Sequence, residues 1–199
     1  MKQTRFNTGY MVRLAVLTAI LLLLEMTGLG LIKTPAGLEI TTLQIPVLVG
    51  AIVMGPAAGG ILGGVFGCIS FWECFGKSWF GAQLLAISPV ATFLTCVPTR
   101  ILMGILCGLI FQALYRIDHT KVLSFGVAGL SGALLNTLFF MSVLLASFFH
   151  TDFIQGLAGG ANVLAFAVAF VGVQGMVEAV ACTVVGAAVA KALYRGFNH

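Results

Sequence analysis

Four polar or charged side chains interrupt long apolar segments in the second half of this sequence. They are Arg100, Asn136, Gln174 and Glu178. Burying such groups in an apolar environment costs free energy unless they find a partner, line a cavity or perform a function. Gln174 and Glu178 are four residues apart, so on a helix they share one face. Amide, guanidinium and carboxylate groups can orient a small polar ligand, which makes this set the first candidate for a binding site.

The segments that carry these residues are long, apolar and continuous, which predicts transmembrane helices. The sequence is 60% hydrophobic and 8% charged, with a mean hydropathy of +1.10. A bilayer core of roughly 30 Å needs about 20 apolar helical residues. The runs lack the two-residue alternation of a barrel strand, so helix is the only element that we expect. We predict an all-α membrane protein with six transmembrane helices, at residues 10–32, 42–54, 56–72, 95–115, 122–149 and 162–193.

Basic residues lie mostly on one side of these predicted spans. The group comprises Lys2, Arg5, Arg13, Arg116, Lys121, Lys191 and Arg195. Because basic loops are retained in the cytoplasm, an even number of crossings places both the N- and C-termini there. We interpret the net charge of +4 as this orientation signal and not as a nucleic-acid surface. Residues 1–199 are expected to form a single domain in the lipid bilayer.

The four polar residues lie at similar depths along their predicted helices. At 1.5 Å per residue, Asn136 lies about 21 Å above the inner end of its span and Glu178 about 20 Å above Lys191. Arg100 and Gln174 lie slightly closer to the outside, at about 24 and 26 Å by the same measure. The sequence therefore predicts one polar layer in the outer half of the bilayer. Either a pocket open to the exterior or a structural link that pairs Arg100 with Glu178 or with an amide side chain satisfies this pattern.

Two outer segments are long enough to cover such a pocket, at residues 33–41 and 73–91, and residues 150–160 form a third outer loop. Glu39 lies in the first segment, and Glu73 begins the second. Trp72 precedes Glu73, where it either anchors the chain at the lipid headgroups or stacks on a ligand. We include all three residues among the candidate ligand contacts.

Small residues form two patterns with helical spacing. Gly59, Gly63 and Gly67 recur every four residues, so one stripe of this predicted helix has almost no side chain. Such a stripe favours close helix packing or leaves room for a ligand. Ala15 and Ala19, also four apart, predict a face for a partner helix on the first span. The short run at 42–54 meets the next one at a tight turn, which predicts a helical hairpin or a re-entrant loop.

Enzymatic and metal chemistry find little support in the sequence. His119 and His150 lie in predicted loops on opposite sides, and no catalytic acid–base pair stands out. The five cysteines include no CxxC pair, so we expect neither a metal site nor a cofactor. The chain also lacks a GxxxxGK[ST] phosphate-binding loop, so any work from ATP must come from a partner.

One stretch of the sequence is similar to a known protein family. The run LQIPVLVGAIVMGPAAGGILGGVFG at residues 43–67, with VPTRILMGILCGLIFQAL, GALLNTLFF and VEAV further on, resembles the substrate-binding S components of energy-coupling factor (ECF) vitamin transporters. Within that family the chain is most similar to the pantothenate- and riboflavin-type group. The resemblance covers nearly the whole chain.

The resemblance implies a multi-pass protein of a bacterial cell membrane that captures a vitamin, with pantothenate favoured, at the extracellular face. It is not itself an enzyme. Its implied partners are a transmembrane coupling protein, which docks at Ala15 and Ala19, and two ATPase subunits. The implied ligand site lies between segment 33–41 and the layer of Asn136, Gln174 and Glu178.

Three alternatives stay open from the sequence. Riboflavin or cobalamin could replace pantothenate as the ligand within the same family. A secondary transporter independent of ATPases would use Glu178 as a proton carrier and would show inverted repeats. A membrane scaffold would bind partner helices and no small molecule.

Overall fold

The computed structural model describes residues 8–33, 39–118, 123–160 and 162–197, and within them the fold is almost entirely helical. The helices are α1 (Thr8–Met26), α2 (Gln44–Met54), α3 (Pro56–Glu73), α4 (Trp79–Ile87), α5 (Pro89–Tyr115), α6 (Leu123–Phe148), α7 (Asp152–Ala158), α8 (Val163–Ala181) and α9 (Ala187–Phe197). A π-helical turn, Cys182–Gly186, joins α8 to α9 without a break. The predicted all-α class is confirmed.

A short β-hairpin is the exception to the expectation that only helices would form. Strands β1 (Leu31–Lys33) and β2 (Glu39–Thr41) pair antiparallel, with Leu31 opposite Thr41. The first predicted span ends at Met26 and not at residue 32, because Gly28 has a φ of 76° and turns the chain out of the helix. The backbone groups released by this turn are satisfied locally, since Thr42 N donates to Gly30 O at 3.0 Å.

Four helices of the described chain are long and apolar enough to cross a membrane. They are Thr8–Met26, Pro89–Tyr115, Leu123–Phe148 and Gly175–Tyr194. Helix α2 is also apolar but has only 11 residues. This composition is that of a membrane protein. The count of six crossings remains a prediction.

The predicted turn between the second and third spans is present. Gly55, with a φ of 97°, separates α2 from α3, and Pro56 occupies the first turn of α3. Proline suits this position because the first N–H groups of a helix have no partner within the helix. The two helices therefore reverse direction within one residue.

Two segments predicted as loops contain helices. Helix α4 lies within 73–91, and α7 lies within 150–160. Helix α5 begins at Pro89, well before the predicted start at residue 95. Ser88 caps it by accepting a hydrogen bond from Ala91 N at 3.4 Å. The Ser88–Pro89 pair is a helix-start signal that the apolar run alone did not reveal.

The β-hairpin, α4 and α7 lie at one end of the bundle, which we call the hairpin end. Trp79 of α4 packs against Phe153 of α7, with ring centroids 5.6 Å apart. At the opposite end, four aromatic rings pack together with centroids 5.0 to 6.2 Å apart: Phe111, Tyr115, Phe125 and Tyr194. Helices α2 and α5 run away from the hairpin end, and α3 and α6 run toward it.

Helices α3 and α5 pack with their backbones in contact. A Cβ atom added to Gly59 would clash with Gly104 O, and one added to Gly63 would clash with Arg100 O. A Cβ on Gly67 would lie 2.7 Å from Val97 Cα. We call this contact the glycine seam. The glycine stripe is therefore filled by a neighbouring helix, as the packing interpretation predicted, and leaves no space for a ligand.

Helix α1 is the least buried of the long helices. Leu21 is its one buried residue. Ala15 and Ala19 lie on its exposed surface, which also carries larger apolar side chains: Met11, Val12, Val16, Leu22, Leu23 and Met26. We call this surface the α1 outer face.

Candidate ligand-binding site

Four helices each contribute a buried amide, guanidinium or carboxylate side chain to the bundle. The exposed fraction is 2% for Gln44 of α2, 7% for Arg100 of α5, 6% for Asn136 of α6 and 3% for Glu178 of α8. We call these four residues the polar layer. Three of them were predicted from the sequence, and Gln44 was not.

Gln44 and Asn136 lie at the same height because their helices share a contact one turn below. A Cβ on Gly132 of α6 would lie 2.8 Å from Leu48 Cδ1 of α2. Gln44 is four residues before Leu48, and Asn136 is four residues after Gly132. Since α2 and α6 are antiparallel, both polar residues lie one turn nearer the hairpin end than this contact.

Glu178 joins the layer through the hairpin. Its Oε1 atom accepts a hydrogen bond from Thr41 N of β2 at 3.0 Å, a contact that we call the latch. Thr41 is three residues before Gln44, so the latch lies next to the start of α2. The π-helical turn follows Glu178 by four residues, and such turns are frequent at functional sites.

Arg100 is held by its own helix and by two aromatic rings. Nη1 donates to Thr95 O and Cys96 O, both at 3.1 Å. The guanidinium carbon lies 4.9 Å from the Phe66 ring centroid and 5.3 Å from that of Phe140, within the range of cation–π attraction. No ion pair joins Arg100 to Glu178 among the described side chains, so the structural pair that the sequence allowed is not formed.

Several polar atoms of the layer lack a hydrogen-bond partner in the described part of the chain. These atoms are Nε2 and Oε1 of Gln44, Oδ1 of Asn136 and Nε of Arg100. Buried polar groups in proteins are nearly always paired, because an unpaired one costs about 1–3 kcal/mol. Donors and acceptors left open by three helices would be completed by a small polar molecule between them.

Glu73 is buried, with 4% of its surface exposed, and belongs to a second group at the hairpin end, although its carboxyl group also interacts electrostatically with Arg100. It lies beside Glu25 of α1. Lys77 forms an ion pair with the Glu25 carboxylate and donates to Glu25 O at 2.9 Å. This Glu25–Lys77 clasp ties the end of α1 to the turn after α3.

The other predicted contacts fall outside the polar layer or outside the described side chains. Trp72 is 73% exposed, and its ring lies 6.2 Å from that of Phe75. The structure thus places it on the surface, where the headgroup-anchor interpretation applies. The backbone of Glu39 pairs with Lys33, and Gln174 lies within α8. The side chains of Glu39 and Gln174 lie outside the described set.

Gln44 is not among the residues predicted from the sequence, because it lies at the start of an apolar run. The signal was present, since Gln44 is the only residue with a polar side chain between Leu43 and Met54. A polar side chain within an apolar run needs a partner or a function, so Gln44 carries the same signal as Asn136.

An apolar groove lies apart from the polar layer, on the surface between α1, α2 and α9. It has a volume of about 440 Å³, and Leu17, Val49 and Leu193 are among its lining residues. Of the described residues that line the groove, Thr42 alone has a polar side chain. An apolar groove gives a polar ligand no orienting contacts, so we do not assign the ligand to it.

The fold and its buried polar layer fit a membrane protein that binds a small polar molecule, and comparison with known proteins identifies the class. The chain belongs to the family of ECF transporter substrate-specific components, whose family model matches residues 9–190. This family consists of transporter components and not of enzymes. The family predicted from the sequence is therefore confirmed.

A particular relative is the pantothenate transporter PanT of Leuconostoc mesenteroides. It is 29% identical to this chain over 137 residues, which are 66% of this chain and 65% of that protein. The match thus spans slightly less than two thirds of the length of the relative.

Proposed function

We propose that this protein is the substrate-capturing subunit of an ECF-type importer and that its ligand is pantothenate. One observation carries the proposal: the buried polar layer leaves hydrogen-bonding atoms unpaired beneath a hairpin that is bonded to Glu178. A subunit that captures a small molecule needs such orienting groups in an enclosed site. The similarity to PanT supports pantothenate as the ligand.

The chemistry of pantothenate suits the layer. The molecule carries a carboxylate, a secondary amide and two hydroxyl groups. A guanidinium is a strong partner for a carboxylate, and Arg100 has an unpaired Nε. Amide side chains donate to and accept from neutral groups, and Gln44 and Asn136 supply them.

For the membrane arrangement we propose six crossings by α1, α2, α3, α5, α6 and the continuous α8–α9. Arg13, Arg116 and Lys191 lie toward the end opposite the hairpin, which supports cytoplasmic termini. The hairpin end then faces the exterior of a bacterial cell membrane, where the ligand is captured. Residues 1–199 form a single domain in this proposal.

The α1 outer face is the proposed docking surface for the membrane coupling protein. Ala15 and Ala19 allow a partner helix to approach closely, and α1 buries only Leu21 within its own bundle. Two ATPase subunits bound to the coupling protein would supply the work, because the sequence contains no phosphate-binding loop.

A ligand panel tests the capture function. At a hundredfold excess over its Kd, pantothenate is expected to stabilise the purified protein by about 2.7 kcal/mol. This stabilisation raises the thermal unfolding midpoint. Riboflavin and cobalamin complete the panel, and mass spectrometry identifies any compound that co-purifies. If only another vitamin stabilises the protein, that vitamin is the ligand and not pantothenate. If no vitamin stabilises it, the proposed capture function is overturned. Asn136→Ala and Glu178→Ala should each reduce the shift.

A bulky substitution tests docking. Ala15→Trp is expected to leave pantothenate binding unchanged and to abolish uptake in cells. Ala113→Trp is the matched control, because Ala113 is exposed on α5, outside the α1 outer face. Unchanged uptake by the Ala15 variant would contradict docking at this surface. Uptake by proteoliposomes that contain this subunit alone would favour a secondary transporter.

A further inference from the structure

We propose that Gln44 is a specificity-determining residue that recognises the amide group of the ligand together with Asn136. This inference rests on the proposed function and names the ligand group that these helices recognise. Among the buried side chains that the structure describes, Gln44 is the one that leaves both of its polar atoms unpaired. It is also among the most buried polar residues, with 2% of its surface exposed.

The position of Gln44 places it between the hairpin and the bundle. It is the first residue of α2 and follows the latch residue Thr41 by three positions. Asn136 lies at the same height on the facing side of α6, through the Leu48–Gly132 contact described above. A ligand in the polar layer would therefore meet one amide side chain from each of two facing helices.

A secondary amide has the chemistry that matches this pair. In the trans form its N–H and C=O point in opposite directions. Such a group is bound best by a donor on one side and an acceptor on the other. The Nε2 of Gln44 is an unpaired donor, and the Oδ1 of Asn136 is an unpaired acceptor. The Oε1 of Gln44 remains for a hydroxyl group next to the amide.

This assignment predicts discrimination against ligands that lack the N–H. Replacing the amide nitrogen of pantothenate by an ester oxygen would leave Oδ1 of Asn136 buried and unpaired. Sites built to hydrogen-bond a ligand group reject analogues that lack it, because the buried partner is stranded. We expect the ester to bind at least tenfold more weakly than pantothenate.

The assignment also predicts an inverse relation between stability and binding. In the ligand-free protein, Gln44 contributes two unpaired buried atoms, which destabilise the fold. Methionine has a similar length and no strong polar atom, so Gln44→Met should unfold at the same or a higher temperature. Its affinity for pantothenate should fall at least tenfold. A residue with only a structural role would lose stability on the same substitution.

The experiment measures pantothenate and the ester analogue against the full-length protein in detergent, by calorimetry, together with the ligand-free unfolding midpoint. The variants are Gln44→Met, Asn136→Leu and Gln112→Met, the last a control at an exposed glutamine of α5. Gln44→Glu is a second variant at the same site, since it keeps the size but replaces the donor by an acceptor. Both Gln44 variants should bind pantothenate weakly, and Asn136→Leu should bind the amide and the ester equally.

Three outcomes would overturn the inference. Tight pantothenate binding by both Gln44 variants would remove the residue from recognition and leave the proposed function intact. Equal affinity of the wild-type protein for amide and ester would remove the amide as the recognised group. Failure of the wild-type protein to bind pantothenate would overturn the proposed ligand and this inference together.

Discussion

The glycine seam and the polar layer are neighbours on α5, yet they differ in how completely their groups are satisfied. In the seam, backbone meets backbone and no space is left. In the layer, buried donors and acceptors stay unpaired. Arg100 belongs to both, because its carbonyl oxygen packs against Gly63 while its guanidinium lies between Phe66 and Phe140.

The two regions have different roles. Unpaired buried groups in the polar layer would favour local rearrangement, and the rigid glycine seam beside them opposes it. The seam fixes the backbone of α5 at Arg100, so the side chain starts from a defined position. We expect substitutions in the seam to reduce stability and substitutions in the layer to reduce ligand binding.

The largest effect is expected from Gly63→Ala. Its Cβ would collide with Arg100 O, so the helices must separate, at a cost of at least about 2 kcal/mol in the free energy of unfolding. Gly64→Ala is the matched control. A Cβ there lies 3.6 Å from Ile101 Cγ1, and alanine favours helix over glycine by up to about 1 kcal/mol. In detergent, the thermal unfolding midpoint should fall for Gly63→Ala and rise for Gly64→Ala. Equal shifts of the two variants would contradict close backbone packing at the seam.

Next in size is Glu178→Ala, which removes the acceptor of the latch. Removing the acceptor leaves the Thr41 N–H without its partner, which costs about 1–3 kcal/mol, so pantothenate affinity should fall about tenfold. Asp152→Ala is the control, an exposed carboxylate at the hairpin end. Equal affinities of the two variants, measured by calorimetry, would exclude the latch from ligand retention.

A smaller effect is expected from Thr41→Pro, because proline has no backbone N–H to donate to Glu178. The loss of about 1 kcal/mol corresponds to roughly fivefold faster ligand release. Thr41→Val keeps the N–H and should release the ligand at nearly the wild-type rate. Stopped-flow dissociation distinguishes the two variants, and a fast Thr41→Val would assign the effect to the side chain.

The smallest effect is expected from Lys77→Met, which breaks the Glu25–Lys77 clasp outside both regions. Partly exposed ion pairs contribute about 0.2–1 kcal/mol, so the unfolding midpoint should drop slightly. Ligand affinity should stay unchanged. A loss of affinity larger than that of Thr41→Pro would show that the clasp helps to form the site.

Much of the polar layer could be predicted from the sequence, because burial of Arg100, Asn136 and Glu178 follows from their place in apolar helices. Their common depth followed from the helical rise. Gln44 carries the same signal, but it lies at the edge of a helix and is not among the predicted residues. The two functions weighed for Trp72 could not be separated, since residue type does not reveal which way a side chain at the end of a helix points.

The β-hairpin and the short helices were not predicted for a different reason. Strands of three residues are too short to show a two-residue alternation, and their pairing depends on where α1 ends. The latch connects residues 137 positions apart, and no local pattern encodes such a contact. Contacts of this kind are defined only by the packed tertiary structure.

The latch uses a peptide N–H and not a side chain of the hairpin. Every amino acid except proline supplies that group, so mutation can alter the chemistry of β2 while its attachment to Glu178 is retained. A hairpin fastened in this way is free to diversify.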